Sequence, residues 1–192
     1  MTKNLFIISL MTILTYIKSR VELGRCPQGV SRLTSFNLNR FMGRWFDVVT
    51  SNTDQRETKC STGLYSRNDN GGFTVAQTAK KKNGDRINDK GKAKPTSYPG
   101  VFKISFQNSF FKDIFNGHYE IIDTDYVNFA IIYSCSNYLT FRRQHVWILL
   151  RSLENSHDAI REYTNYIDRK LNLKKFDFFV IDNSRESCGS FN

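Results

Sequence analysis

The sequence lacks the common signatures of metal and redox chemistry. No Cys-x-x-Cys pair occurs, and the four cysteines match no zinc-binding spacing. The three histidines, His118, His145 and His157, do not fall at the His-x-x-x-His spacing of helical zinc sites. We therefore predict neither a metal site nor a cofactor, and no set of residues typical of catalysis is present.

Long hydrophobic runs are also scarce. Only residues 5–17 are nearly continuously apolar, with Lys3 before them. The run is too short to span a bilayer but fits the hydrophobic region of a secretory signal peptide, with a buried strand or helix as the alternative. We predict a signal peptide over residues 1–19, with cleavage as late as residue 25 because no small-residue motif marks the site. Residues 20–192 then form a single secreted, extracellular domain.

An exported chain with an even number of cysteines is expected to form disulfide bonds. The four cysteines therefore predict two bridges made in an oxidising compartment. Spacing alone leaves all three possible pairings open.

Acidic residues are outnumbered, since the chain has 28 Lys and Arg against 18 Asp and Glu. Much of the excess lies in one short segment, at Lys80, Lys81, Lys82, Arg86, Lys90, Lys92 and Lys94. Nucleic acid is not an expected partner of a secreted chain. Residues 80–94 are instead expected to form a solvated hairpin. The alternative is weak contact with an anionic surface, such as a heparin-like polymer or anionic lipid.

From Gly43 onward, turn signals divide the chain into short runs of β-type residues. Eight strands are predicted, over residues 43–49, 61–67, 73–82, 86–94, 101–107, 118–124, 128–135 and 144–151. Most connections are short, and Asn83 with Gly84 is typical of a tight hairpin turn. Successive hairpins favour an up-and-down barrel over a sandwich. Apolar residues at helical spacing then predict one helix, Ser156–Leu171, packed outside the barrel.

Three short motifs stand in order along this pattern, at the start of the first strand, after the sixth and at the end of the eighth. Their residues are Gly43, Trp45, Thr124, Asp125, Tyr126 and Arg151. The arrangement resembles the Gly-x-Trp, Thr-Asp-Tyr and late Arg motifs of the lipocalin family. The resemblance implies an all-β, eight-stranded antiparallel barrel of the calycin type. We expect these residues to be structural, with the Arg151 guanidinium lying over the Trp45 indole.

Residues 123–135 and 146–151 resemble in particular the group of apolipoprotein D and its bacterial and invertebrate relatives. This resemblance implies the pairing Cys26–Cys135 and Cys60–Cys188. It also implies a transport protein that binds a small hydrophobic ligand. The sequence departs from the group at residues 138–143 and in the pocket, so the identity of the ligand does not carry over.

Strand alternation selects the side chains that would line the barrel. If Arg151 faces inward, Trp147 does as well, and the same count applies to the other strands. The predicted ligand-binding residues are Tyr65, Phe73, Val75, Gln77, Phe102, Phe106, Tyr119, Phe129, Ile131 and Trp147. Such a lining suits a fatty acid, steroid, retinoid or pigment, whereas simple filling of the core is the alternative.

Two other functions stay open. One is a sequestering or defence lipocalin that captures an anionic or amine small molecule. The other is a lipocalin isomerase, which would need a free thiol such as that of Cys60 in the cavity. A thiol held in a disulfide is not a nucleophile, so we do not expect an enzyme.

Overall fold

The computed structural model describes residues 21–27, 30, 33–107, 118–171 and 177–189. The predicted signal peptide, residues 1–19, lies outside the described residues. Among the residues that are described, no helix is both long and apolar enough to cross a membrane.

The described residues form short strands with little helix. The strands are β1 (Val21–Leu23), β2 (Gly43–Thr50), β3 (Thr58–Arg67), β4 (Phe73–Lys81), β5 (Arg86–Pro95), β6 (Val101–Phe106), β7 (His118–Thr124), β8 (Phe129–Tyr138), β9 (Phe141–Leu150) and β10 (Phe179–Val180). The helices are α1 (Leu38–Phe41), α2 (Ser156–Leu171) and α3 (Arg185–Cys188), and a 3-10 turn, Thr53–Glu57, joins β2 to β3.

Strands β2 to β9 form a closed antiparallel barrel. Each strand pairs with the next, and β9 returns to pair with β2. At this seam Phe46 lies opposite Leu150 and Thr50 opposite Trp147, with a bulge between Asp47 and Val49. Helix α2 packs on the outside, against β9 and β2. The predicted eight-stranded up-and-down barrel with one outer helix is therefore confirmed.

Two short strands cover barrel edges that would otherwise be unpaired: β1 where β9 extends beyond β2, and β10 where β3 separates from β2. Strand β1 pairs with the part of β9 beyond the seam, where Leu23 lies opposite Phe141. Strand β10 pairs with the end of β2, where Val180 lies opposite Val49. The bridges Cys26–Cys135 and Cys60–Cys188 join these two terminal regions to the barrel wall.

One end of the barrel is closed by α1 and by the side chain of Arg151. The Arg151 guanidinium lies 3.7 Å from the centre of the Trp45 ring system. It also donates hydrogen bonds to five backbone carbonyls, those of Arg40, Phe41, Met42, Arg44 and Tyr126. Gly43 has a φ of +102°, and a Cβ there would lie 3.0 Å from the Arg151 guanidinium. A side chain at Gly43 would therefore strain the backbone and crowd Arg151.

The turn before β8 is organised by the two polar residues of the second motif. The carboxylate of Asp125 accepts hydrogen bonds from the backbone N–H groups of Val127, Asn128 and Phe129. The Thr124 hydroxyl accepts one from the N–H of Tyr126 and donates to the Phe129 carbonyl. These bonds satisfy backbone groups that the turn would otherwise leave unpaired, as the sequence led us to expect.

The prediction that Phe129 and Ile131 line the barrel interior is wrong. Both face the outer apolar layer beneath α2, and the Phe129 ring stacks on Tyr163 with centroids 4.2 Å apart. The inward residues of β8 are Ala130 and Ile132. Because α2 buries the outer face as well, this strand is apolar on both faces, and its composition does not indicate which face is inside.

Candidate functional site in the barrel interior

A buried polar cluster occupies the middle of the largely apolar barrel. Asp47 on β2 is 5% exposed, and its carboxylate accepts hydrogen bonds from the Ser61 hydroxyl and the Gln77 amide. These partners come from the next two strands, β3 and β4. Burial raises the pKa of Asp47 to about 6, although both hydrogen bonds act to lower it. Asp47 therefore changes charge in mildly acidic solution.

Two tyrosines add a second polar pair. The hydroxyls of Tyr65 and Tyr119 lie 2.8 Å apart across the interior and share a hydrogen bond. Burial raises the pKa of both phenols, so both are neutral at physiological pH. Neutral hydroxyls can serve a ligand as donor or acceptor.

The end of the barrel opposite α1, here called the upper end, is covered by the 3-10 turn. Gln55 in this turn points inward and is 3% exposed. Its side-chain carbonyl accepts hydrogen bonds from the Trp147 indole at 2.6 Å and from the Thr50 hydroxyl at 2.8 Å. These two bonds hold the turn over the barrel interior.

His145 lies beside Trp147, with ring centroids 5.6 Å apart. It is 5% exposed, and neither ring nitrogen has a hydrogen-bond partner among the described residues. Burial, with a smaller contribution from the Arg143 charge, lowers the pKa of His145 to about 3. The imidazole is therefore neutral and offers one donor and one acceptor.

The space between these groups is small. A cavity of about 20 Å³ is lined by Asp47, Gln55, Tyr65, Val75, Gln77, Phe106, Tyr119, Ile132, Trp147 and Leu149. This volume holds about one water molecule, whereas small-molecule sites usually measure roughly 300–1,000 Å³. A larger guest can enter only if lining side chains move, and Gln55 is the residue that covers the upper end.

The cavity brings together six of the ten predicted residues. These six are Tyr65, Val75, Gln77, Phe106, Tyr119 and Trp147. Phe73 and Phe102 also lie inside the barrel, in edge-to-face contact at 4.9 Å, but they belong to the aromatic packing above α1. Phe129 and Ile131 lie outside. A ligand role for the inner residues stays a prediction.

Four of the ten lining residues, Asp47, Gln55, Ile132 and Leu149, are not among the predicted ligand-binding residues. Ile132 was missed because the opposite face of β8 was chosen, and Leu149 follows from the same inward count as Trp147. Asp47 lies two residues after Trp45 on β2, so the alternation rule selects it, and its charge was the only reason to overlook it. Gln55 enters the barrel from a connecting turn. No periodicity of the strands indicates a residue in that position.

Comparison with known families decides the classification. The lipocalin-like domain pattern matches residues 36–174. The chain belongs to the lipocalin family. This lipocalin is 28% identical to apolipoprotein D of Bos taurus over 132 residues, 68% of each chain. It is 29% identical to apolipoprotein D of Mus musculus over 153 residues, 79% of each chain.

Solved structures agree on the fold of this lipocalin. It superposes on lobster apocrustacyanin A1 with a TM-score of 0.73 and 24% identity, covering 90% of this chain and 96% of that one. All four cysteines of this lipocalin are in bridges. The isomerase alternative therefore lacks its nucleophile in the oxidised protein, and the absence of enzymatic activity stays a prediction.

The raised pKa of Asp47 leads to a testable dependence of stability on pH. A carboxyl whose pKa is 3.8 when unfolded and about 6 when folded stabilises the fold fully below pH 3.8. That contribution is lost as the pH rises through about 6. Between pH 4 and pH 7 the wild type should lose about 2 kcal/mol of unfolding free energy relative to Asp47→Asn.

Urea unfolding across this pH range measures the difference. Asp69→Asn, which alters an exposed aspartate in the β3–β4 turn, is the control and should follow the wild type. A constant difference between wild type and Asp47→Asn at every pH would show that Asp47 titrates normally.

Proposed function

We propose that this lipocalin is an extracellular carrier that binds a small hydrophobic molecule with one polar group inside the barrel. The observation that supports this best is the composition of the interior. Apolar and aromatic side chains surround a small number of buried polar groups, chiefly the cluster of Asp47, Ser61 and Gln77. Two disulfides and membership of the lipocalin family support an extracellular role.

The energetics favour such a guest. Each Å² of apolar surface removed from water contributes about 25 cal/mol. Each polar group buried without a partner costs about 1–3 kcal/mol, so a guest with many polar groups would bind poorly. Entry requires breaking the bond between Trp147 and Gln55, and the freed indole and amide can then bond to the guest.

The Asp47 carboxylate favours one second candidate, a lipocalin that captures an amine. A cationic ammonium group would pair with the ionised carboxylate, which is 5% exposed. Binding of an amine should weaken below pH 6, since the pKa of Asp47 is about 6. Binding of an uncharged lipid should not follow this titration.

Tryptophan fluorescence of delipidated protein tests the proposal. Trp147 lines the cavity, and Trp45 lies at the closed end, so only Trp147 should respond to a guest. We expect fatty acids, retinoids or steroids to shift or quench the emission, and sugars and nucleotides to leave it unchanged. Trp147→Phe should abolish the response. If the apolar compounds have no effect on the wild type, the interior is a closed core and the carrier proposal fails.

Matched substitutions on β4 test whether the guest binds inside the barrel or on its outer face. Val75→Phe adds a ring inside the barrel, whereas Ala76→Phe adds one on the exposed face of the same strand. We expect Val75→Phe to weaken binding at least about tenfold and Ala76→Phe to leave it unchanged. Asp47→Asn separates the two candidates, because it should abolish binding of amines and retain binding of lipids.

A further inference from the structure

The outward face of β5 and its neighbours carries only basic charge. Arg86, Lys90, Lys92 and Lys94 alternate with buried residues along β5, so their side chains share the solvent-facing side. Lys80 on β4 and Lys103 on β6 flank the two ends of this row. We call these six residues the basic wall. Five of them are exposed, and Lys80 is half-buried.

The strand register places like charges directly opposite one another. Lys80 lies opposite Arg86, and Lys94 lies opposite Lys103. Such cross-strand pairs destabilise a sheet. None of the ion pairs formed by the described residues includes a member of the basic wall. The charge of the wall is therefore available to an external anion.

Nearby acidic groups do not neutralise the wall. Asp89 belongs to β5 but faces the barrel interior and is 6% exposed. Asp85 lies in the hairpin turn, where its carboxylate accepts a hydrogen bond from the Asn83 amide. The carboxylate of Glu57 pairs with Lys82, which is outside the wall.

The shape of the wall favours a linear partner. Alternate residues on a strand are about 6.8 Å apart, so the row from Arg86 to Lys94 is about 27 Å long. A groove of about 400 Å³ runs beside it and is lined in part by Arg44, Thr62 and Thr78. Guanidinium and hydroxyl groups in this groove can hydrogen-bond to sulfates and sugar hydroxyls.

Two other polyanions fit less well. Proteins that lie on a membrane insert apolar or aromatic side chains, and β5 exposes no large hydrophobic residue. Single-stranded nucleic acid binds by stacking its bases on aromatic rings, and the basic wall contains none. We propose that the basic wall binds a linear sulfated polysaccharide of the heparin type, in addition to the carriage of a ligand inside the barrel.

Binding of heparin oligosaccharides by isothermal titration calorimetry at 0.15 M NaCl tests this proposal. The variant Lys90→Gln/Lys92→Gln/Lys94→Gln removes the centre of the row. A basic side chain near an anionic surface typically contributes about fivefold in affinity, so the dissociation constant should rise about a hundredfold. Affinity should also increase with oligosaccharide length until the chain spans the row.

The control variant Arg25→Gln/Arg161→Gln/Arg169→Gln removes the same number of exposed charges from the segment after β1 and from α2, which both lie beside β9, on the other side of the barrel from β5. It should change the dissociation constant less than about threefold, because distant charges are screened by salt. Circular dichroism checks that both variants fold.

Three results would overturn the proposal. Equal losses in the two triple variants would show that net charge alone drives binding. Tighter binding of the wild type to phosphatidylserine vesicles than to heparin would assign the wall to a membrane. Tighter binding to single-stranded DNA would assign it to nucleic acid.

Discussion

Replacing Arg151 with alanine is expected to lower the unfolding free energy by about 4 kcal/mol. The guanidinium donates to five carbonyls, which come from α1 and the residue after it, from β2 and from the turn before β8. Hydrogen bonds from a charged donor contribute about 1.5–3 kcal/mol each, but these share one side chain and do not add fully. Contact with the Trp45 ring adds about 0.5–2 kcal/mol.

Urea unfolding of three variants measures this effect. Arg151→Lys keeps the charge but lacks the planar guanidinium with its several N–H donors. It should therefore recover only a minor part of the unfolding free energy that Arg151→Ala loses. Arg169→Ala removes an exposed arginine of α2 and should change stability by less than about 0.5 kcal/mol. If Arg151→Ala kept its melting temperature but lost ligand binding, Arg151 would belong to the binding site instead of the structural frame.

Removing the Cys60–Cys188 bridge should lower the unfolding free energy by about as much as Arg151→Ala does. The bridge joins residues separated by 128 positions, and a loop of this length predicts about 4–5 kcal/mol of stabilisation from the restricted unfolded chain. The variant Cys60→Ser/Cys188→Ser avoids an unpaired thiol. It should retain the hydrogen bonds from Asn183 to the Asp47 carbonyl and from the Ser61 N–H to Asn183.

The matched variant Cys26→Ser/Cys135→Ser removes a bridge between residues separated by 109 positions. It should lower the unfolding free energy by nearly the same amount. Limited proteolysis distinguishes the two variants. Loss of the first bridge should expose residues 177–189 to cleavage, and loss of the second should expose residues 21–27. Unchanged urea midpoints in both variants would show that the bridges do not stabilise the fold.

Most of the barrel could be predicted because most turns are marked locally. The β8–β9 turn at residues 139–140 is not, and the predicted strands stop three residues short on each side of it. The Asn83–Gly84 turn and the Asn68–Gly72 region separate strands whose outer faces meet water, so polar and apolar residues alternate there. The same alternation placed Val75 and Gln77 inside the barrel. It failed for β8, because α2 buries the outer face and the alternation disappears.

The candidate site was only partly predictable. Inward strand positions follow from a count along each strand, and Asp47 satisfies that count from Trp45. The size of the cavity depends on how Gln55, Trp147 and the two tyrosines pack together. That packing involves residues from distant parts of the chain, so no local pattern contains it.

The pairing of β1 and β10 with the barrel has a consequence for solubility. A closed barrel has no strand edge, but β9 beyond its pairing with β2, and β2 beyond its pairing with β3, would present unpaired backbone N–H and C=O groups. The two terminal strands occupy those positions and, at three and two residues, are too short to template further strands themselves. Proteolytic removal of the two terminal strands would therefore make the protein prone to edge-to-edge aggregation.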